Sequence, residues 1–89
     1  MSTQGRWLVD VSIADLAGET RADGRLIMTD GSCLIGHGGA RRHPCDPDIA
    51  EIGEKIAAAR ALSDLAGLLA ASAAAELEAM TDEGARVHL

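Results

Sequence analysis

Residues 46–80 read DPDIAEIGEKIAAARALSDLAGLLAASAAAELEAM. Within this stretch Ile49, Ile52, Ile56, Ala59, Leu62, Ala66, Leu69, Ala73, Leu77 and Met80 recur every three or four residues, the spacing of one face of an α-helix. Ala, Leu and Glu, all strong helix formers, dominate it, and no proline follows Pro47. Asp48 is placed to cap the helix, with Glu51 three residues on, and both put negative charge at its positive end. The pattern predicts a helical segment over 48–80, and the chain before it must supply what that helix covers.

That preceding half reads as a small sheet. Trp7, Val9, Val11 and Ile13 alternate with Asp10 and Ser12, the period of a half-buried strand over about 7–13. Gly18 marks a loop over 14–19, and two further strands are expected at 20–28 and 32–39. Asp30-Gly31 between them is the pair favoured by a two-residue type I′ turn. That turn would set Met28 opposite Cys33 and Leu26 opposite Ile35, with these four facing the helix. It would pair Ile27 with Leu34 on the uncovered face and place Arg21 and Arg25 there as well. The expected core is Trp7, Val9, Val11, Leu26, Met28, Cys33, Ile35, Ile52, Ile56 and Leu62. The fold class is therefore α+β, one domain over 1–89. A three-stranded antiparallel sheet precedes one long or broken C-terminal helical segment (β-β-β-α-α). Residues 81–89 lose the period and read as a short tail.

A straight helix of that length would run about 50 Å, against about 23 Å for a seven-residue strand. Either the segment breaks, near Arg60 to Ser63 or at Gly67, or its distal half packs on a second copy. A homodimer is expected on this ground, with Ile27, Leu34, Leu69 and Leu77 as candidate interface residues.

The 89 residues contain no Phe or Tyr and a single Trp, so any core is aliphatic. The N-terminus shows no signal core, and Cys33 and Cys45 make no secreted disulfide framework. The Ala-rich run is broken by charges and reads as amphipathic rather than membrane-spanning. A cytoplasmic protein without a membrane partner is expected. Residues 1–45 carry five basic and five acidic side chains, whereas residues 46–89 carry three basic and nine acidic ones. The helical half is thus an acidic surface that repels phosphate backbones.

No residue set assembles into an active site. Gly36-His37-Gly38-Gly39 before Arg41-Arg42 invites comparison with a phosphate loop, but it lacks the Gly-Lys-Ser/Thr of a P-loop. Asp46, Asp48 and Glu51 further oppose an anion at the helix start. Cys33, His37, His43 and Cys45 match no common zinc spacing. Cys45 and His43 lack an orienting third group for nucleophilic chemistry. Arg60 and Asp64, at i and i+4, read as a surface ion pair. No catalytic residue, metal, cofactor or small-molecule substrate is expected. Arg21, Arg25, Arg41 and Arg42 are the candidate nucleic-acid or anion contacts.

Three sets of residues resemble a known family. Trp7-x-Val9-x-Val11-x-Ile13 with Thr20-x-Ala22-x-x-Arg25-Leu26 is similar to its first two strands. Gly36-x-Gly38-x-Ala40-Arg41-Arg42-x-Pro44-x-Asp46 with Glu51-Ile52-Gly53-Glu54 is similar to its central signature. Ala59-Arg60-Ala61-Leu62-Ser63-Asp64-Leu65-Ala66 is similar to its helical signature. The chain resembles an actinobacterial domain-of-unknown-function family with a fold like that of double-stranded-RNA-binding domains. That family includes mycobacterial conserved hypothetical proteins linked to hypoxia and dormancy. The resemblance implies a dimer, no established enzymatic activity, and a shape likened to ribosome-hibernation factors. Two functional expectations follow: a non-enzymatic homodimeric stress or dormancy protein, or a ribosome- or RNA-binding factor using a basic sheet face.

Overall fold

The computed structural model describes residues 5–41 and 50–87, the side chains of α1 as far as Thr81. Strands β1 (Leu8–Leu16), β2 (Glu19–Ile27) and β3 (Cys33–Arg41) are followed by one helix, α1 (Ala50–Val87). The three strands form an antiparallel sheet in the order β1-β2-β3. The α+β architecture expected from the sequence is the one observed, with the helical segment unbroken. Neither Arg60–Ser63 nor Gly67 interrupts it, and it runs on through Val87, where a tail was expected. The Asp48 cap lies outside the described residues.

Two turns set the sheet, and the sequence points to the wrong one as type I′. Ala17 and Gly18 both have positive φ, at 51° and 79°, and join Leu16 to Glu19 as a two-residue loop. This is the type I′ condition, and it extends β1 to Leu16, beyond the expected end at residue 13. At Asp30-Gly31 the loop is one residue longer. The Gly31 N–H donates to the Met28 carbonyl at 3.0 Å, and the Met28 N–H donates to the Ser32 carbonyl at 2.9 Å. Gly31, at φ 88°, then takes the left-handed position that closes a three-residue hairpin loop.

That extra residue shifts β3 by one position against β2. Cys33 pairs with Ile27, Leu34 with Leu26, Ile35 with Arg25 and His37 with Asp23. Because side chains alternate, a one-residue shift exchanges the two faces of the strand. Cys33 and Ile35, expected in the core, are exposed on the outer face, Ile35 at 45%. Leu34 turns to the helix side, so Ile27 and Leu34 do not form one patch.

The core is narrower than expected and is built from small residues. Ala22, Leu26, Ala57, Ala61 and Leu65 are its buried apolar members. A Cβ on Gly36 would come within 2.5 Å of the Ala61 carbonyl oxygen and the Leu65 nitrogen. One on Gly38 would overlap the Ala61 nitrogen and the Ala57 carbonyl. The helix therefore rests its backbone directly on β3, through the Ala57-Ala61-Leu65 line. The large aliphatic stripe lies elsewhere, since neighbouring residues on a helix differ by about 100°. Trp7, Val9, Ile52, Ile56 and Leu62, all expected inside, are exposed, Ile52 at 53%. Val11 and Met28 are half-buried.

The molecule measures 64 × 30 × 16 Å with a radius of gyration of 18.4 Å. A compact chain of this length would have a radius of gyration near 12 Å. The excess is the distal half of α1, which runs past the sheet and leaves Leu77 67% exposed. By length and composition alone Ala50–Thr81 is apolar enough to cross a membrane. Its first half, however, is committed to the sheet through buried Ala57, Ala61 and Leu65.

Candidate interaction surfaces

The outer face of the sheet gathers most of the charged residues of the strands. Arg21, Arg25 and Arg41 lie on it, as the sequence places Arg21 and Arg25, together with Asp10, Glu19, Asp23 and His37. Arg42 lies outside the described residues. Each cation stands beside an acid. Arg25 Nη2 donates to Asp10 Oδ2 at 3.4 Å, and Arg21 Nε donates to Glu19 Oε1 at 3.3 Å. Arg41 stands opposite Glu19 in the strand register. The Asp23 carboxylate accepts from His37 Nδ1 at 2.7 Å. The expected basic surface is thus a charge-balanced one, three guanidinium groups against three carboxylates. All three contacts are solvent-exposed, and exposed ion pairs such as the two arginine–carboxylate ones contribute little to stability. Glu19, Arg21, Asp23 and His37 surround an open depression of about 410 Å³ with no enclosed polar group.

Cys33 and His37 share this face but stand four residues apart along β3, and His43 and Cys45 lie outside the described residues. Among the described residues, no three His, Cys, Asp or Glu side chains come together in a metal-holding arrangement.

Two side chains of the helix bond to the free edge of β3. The Asp64 carboxylate accepts the His37 backbone N–H at 2.8 Å, and Arg60 Nη1 donates to the Gly39 carbonyl at 2.7 Å. Arg60 and Asp64, expected to pair with each other, instead each hold the strand edge. The i,i+4 spacing that suggested an ion pair also places both side chains along one flank of α1, so the spacing carried the signal but not the partner.

The opposite side of the molecule is apolar and open. Among the described residues nothing pairs with the outer edge of β1, and Leu8, Val9, Ile13 and Leu16 are exposed along it. Leu62 and Leu69 lie about half a turn around α1 from Arg60, on the side away from the β3 edge. Of the candidate dimer residues, Leu69 is half-buried and Leu77 exposed on the distal helix, while Ile27 and Leu34 are half-buried on opposite sheet faces. Leu69 and Leu77 stand about 80° apart around α1, on a different element from Ile27.

A three-stranded meander latched under one overlong helix, with an aliphatic flank left open, defines a small α+β protein. The chain belongs to the family described as Rv2632c-like, whose family model matches residues 5–86. Uncharacterized protein Rv2632c of Mycobacterium tuberculosis is 43% identical over 75 residues, covering 84% of this chain and 80% of its own length. Uncharacterized protein Mb1767 of Mycobacterium bovis is 41% identical over 81 residues, covering 91% of this chain and 85% of its own. The crystal structure of Rv2632c superposes with a TM-score of 0.76 at 40% identity, over 91% of this chain and 93% of that one.

Proposed function

We propose that the chain is a non-enzymatic interaction module that works in the cytoplasm as a homodimer. The observation that carries this reading is the position of its large aliphatic residues. Ile52, Ile56, Leu62, Leu77 and Met80 lie outside the core, which is closed by alanine and glycine instead. Apolar surface left in water forgoes about 25 cal/mol per Å², and a second copy is the partner always at hand. A mass near twice the 9.2 kDa chain is expected from light scattering at micromolar concentration. Leu69→Glu with Leu77→Glu should lower the dimer fraction at least tenfold. A monomeric unsubstituted chain at that concentration would overturn the reading.

The stress or dormancy setting rests on the family resemblance. It predicts that the protein accumulates on oxygen limitation, which immunoblotting of the source cells reads. Ribosome or RNA binding has weaker support, because Arg21 and Arg25 are already paired and the face they occupy is charge-balanced. Salt-sensitive co-sedimentation with ribosomes, lost in Arg25→Glu with Arg41→Glu, would restore it.

A further inference from the structure

The sheet has two edges, and α1 bonds to one of them. Asp64 and Arg60 bond to the outer edge of β3, whereas the outer edge of β1 runs nine residues with no further strand beside it among those described. Natural edges are usually blunted by charged side chains, lysine above all, by proline or by a bulge, and the charges of β1 are Asp10 and Asp15 alone. β1 contains no lysine or proline, and its pairing with β2 is continuous from Leu8↔Ile27 to Leu16↔Glu19.

We propose that β1 pairs antiparallel with β1 of a second copy, about a two-fold axis at Val11, to make one six-stranded sheet. This rests on the homodimer reading above and adds the β1 edge to the helix stripe as a contact between the two copies. A two-fold normal to the sheet leaves each face of the strand where it was. Opposed residues therefore share a face, and the residue on the axis opposes itself. With Val11 on the axis, Val9 stands opposite the partner's Ile13 on the helix side. Asp10 stands opposite the partner's Ser12, and Leu8 opposite the partner's Ala14, on the outer side. The helix-side pairs Val11 with Val11 and Val9 with Ile13 are then β-branched and aliphatic, the pairing that stabilises a sheet, and Asp15 falls opposite Trp7, just outside β1.

Charge rejects the neighbouring registers. An axis at Asp10 sets two carboxylates directly opposite each other, which is destabilising. Axes at Ser12 and Ile13 set Asp15 against Val9 and Val11 of the partner respectively. The axis at Val11 opposes no carboxylate to an acid or to a large aliphatic side chain within β1. The two edges also explain why the assembly stops. Each joined sheet ends in a β3 whose His37 N–H and Gly39 carbonyl are already bonded by α1, which opposes the addition of a further strand there and favours closure at two copies.

Disulfide trapping tests this on a Cys33→Ser, Cys45→Ser chain. Opposed Cα atoms across antiparallel strands lie about 4.5–5.5 Å apart, inside the range a disulfide spans. Val11→Cys should give a covalent dimer on mild oxidation, at least tenfold more than Ile13→Cys, whose copies would stand four residues apart. Mixing Asp10→Cys with Ser12→Cys chains probes the same register from exposed positions and remains decisive if Val11→Cys fails to fold. Strong trapping at Val11, or between the mixed chains, supports the pairing. A chain that scatters as a dimer but traps at neither overturns the edge pairing and leaves the homodimer standing. A chain that scatters as a monomer overturns both.

Discussion

The Asp64 carboxylate accepts the backbone N–H of His37 across 2.8 Å, which ties the middle of the helix to the edge of the sheet. Four residues earlier on α1, Arg60 holds the Gly39 carbonyl in the same way. The two side chains stand in for a fourth strand. Asp64→Ala should cost about 1 kcal/mol in urea unfolding, the net worth of one exposed charge-assisted bond. Asp64→Asn, which retains an acceptor, should cost less. Equal losses for both would mean that the bond contributes nothing.

Gly38 and Gly67 predict opposite responses to the same change. Gly38→Ala forces a methyl into the α1 backbone and should destabilise by about 3 kcal/mol or more, because the obstacle is main chain that cannot rotate away. A Cβ on Gly67 meets nothing within 4 Å. Gly67→Ala should therefore raise stability by about 0.5–1 kcal/mol through helix propensity. Thermal melts of the two variants check both signs.

Leu26 and Ile35 report the strand register. Leu26 is buried on the helix side, and its truncation to alanine should cost about 2–5 kcal/mol. Ile35→Ala, on the exposed face, should cost under about 1 kcal/mol. The register expected from a two-residue turn makes the two losses similar, so their ratio in denaturant titrations decides between the registers.

Ala17 occupies φ 51°, where an L-residue with a Cβ is strained. Ala17→Asn or Ala17→Gly should stabilise the β1–β2 hairpin by about 0.5–1 kcal/mol. A lower melting temperature in both would show that the turn is not type I′.

Asp30 carries the pH dependence of the second hairpin. The Ser32 hydroxyl and backbone N–H both donate to its carboxylate and hold its pKa below the ordinary 3.8. A group depressed on folding stabilises the folded state above its unfolded pKa, and loses that contribution as pH falls through the folded value. The hairpin should thus loosen on acidification below about pH 4. NMR titration of the Asp30 carboxyl should place its midpoint below 3.8, and Ser32→Ala should raise it.

Secondary structure and topology were legible in the sequence because they rest on local terms. Alternation at Val9, Val11 and Ile13 marks a strand, and the 3.6-residue period from Ile52 to Met80 marks a helix. The candidate surfaces were legible only in part. Arg21 and Arg25 follow from β2 alone, whereas the acids that neutralise them come from neighbouring positions and strands. Tertiary structure decided three matters that no local pattern holds. The loop at Thr29-Asp30-Gly31 took a third residue and exchanged the faces of β3. Gly36 and Gly38 let the helix backbone approach so closely that Ala57 and Ala61 became the core. The stripe expected inside was thereby left outside. Hydrophobic period reveals that a helix has an apolar face; only close packing, where a single methyl is too large, selects which face the protein keeps for itself.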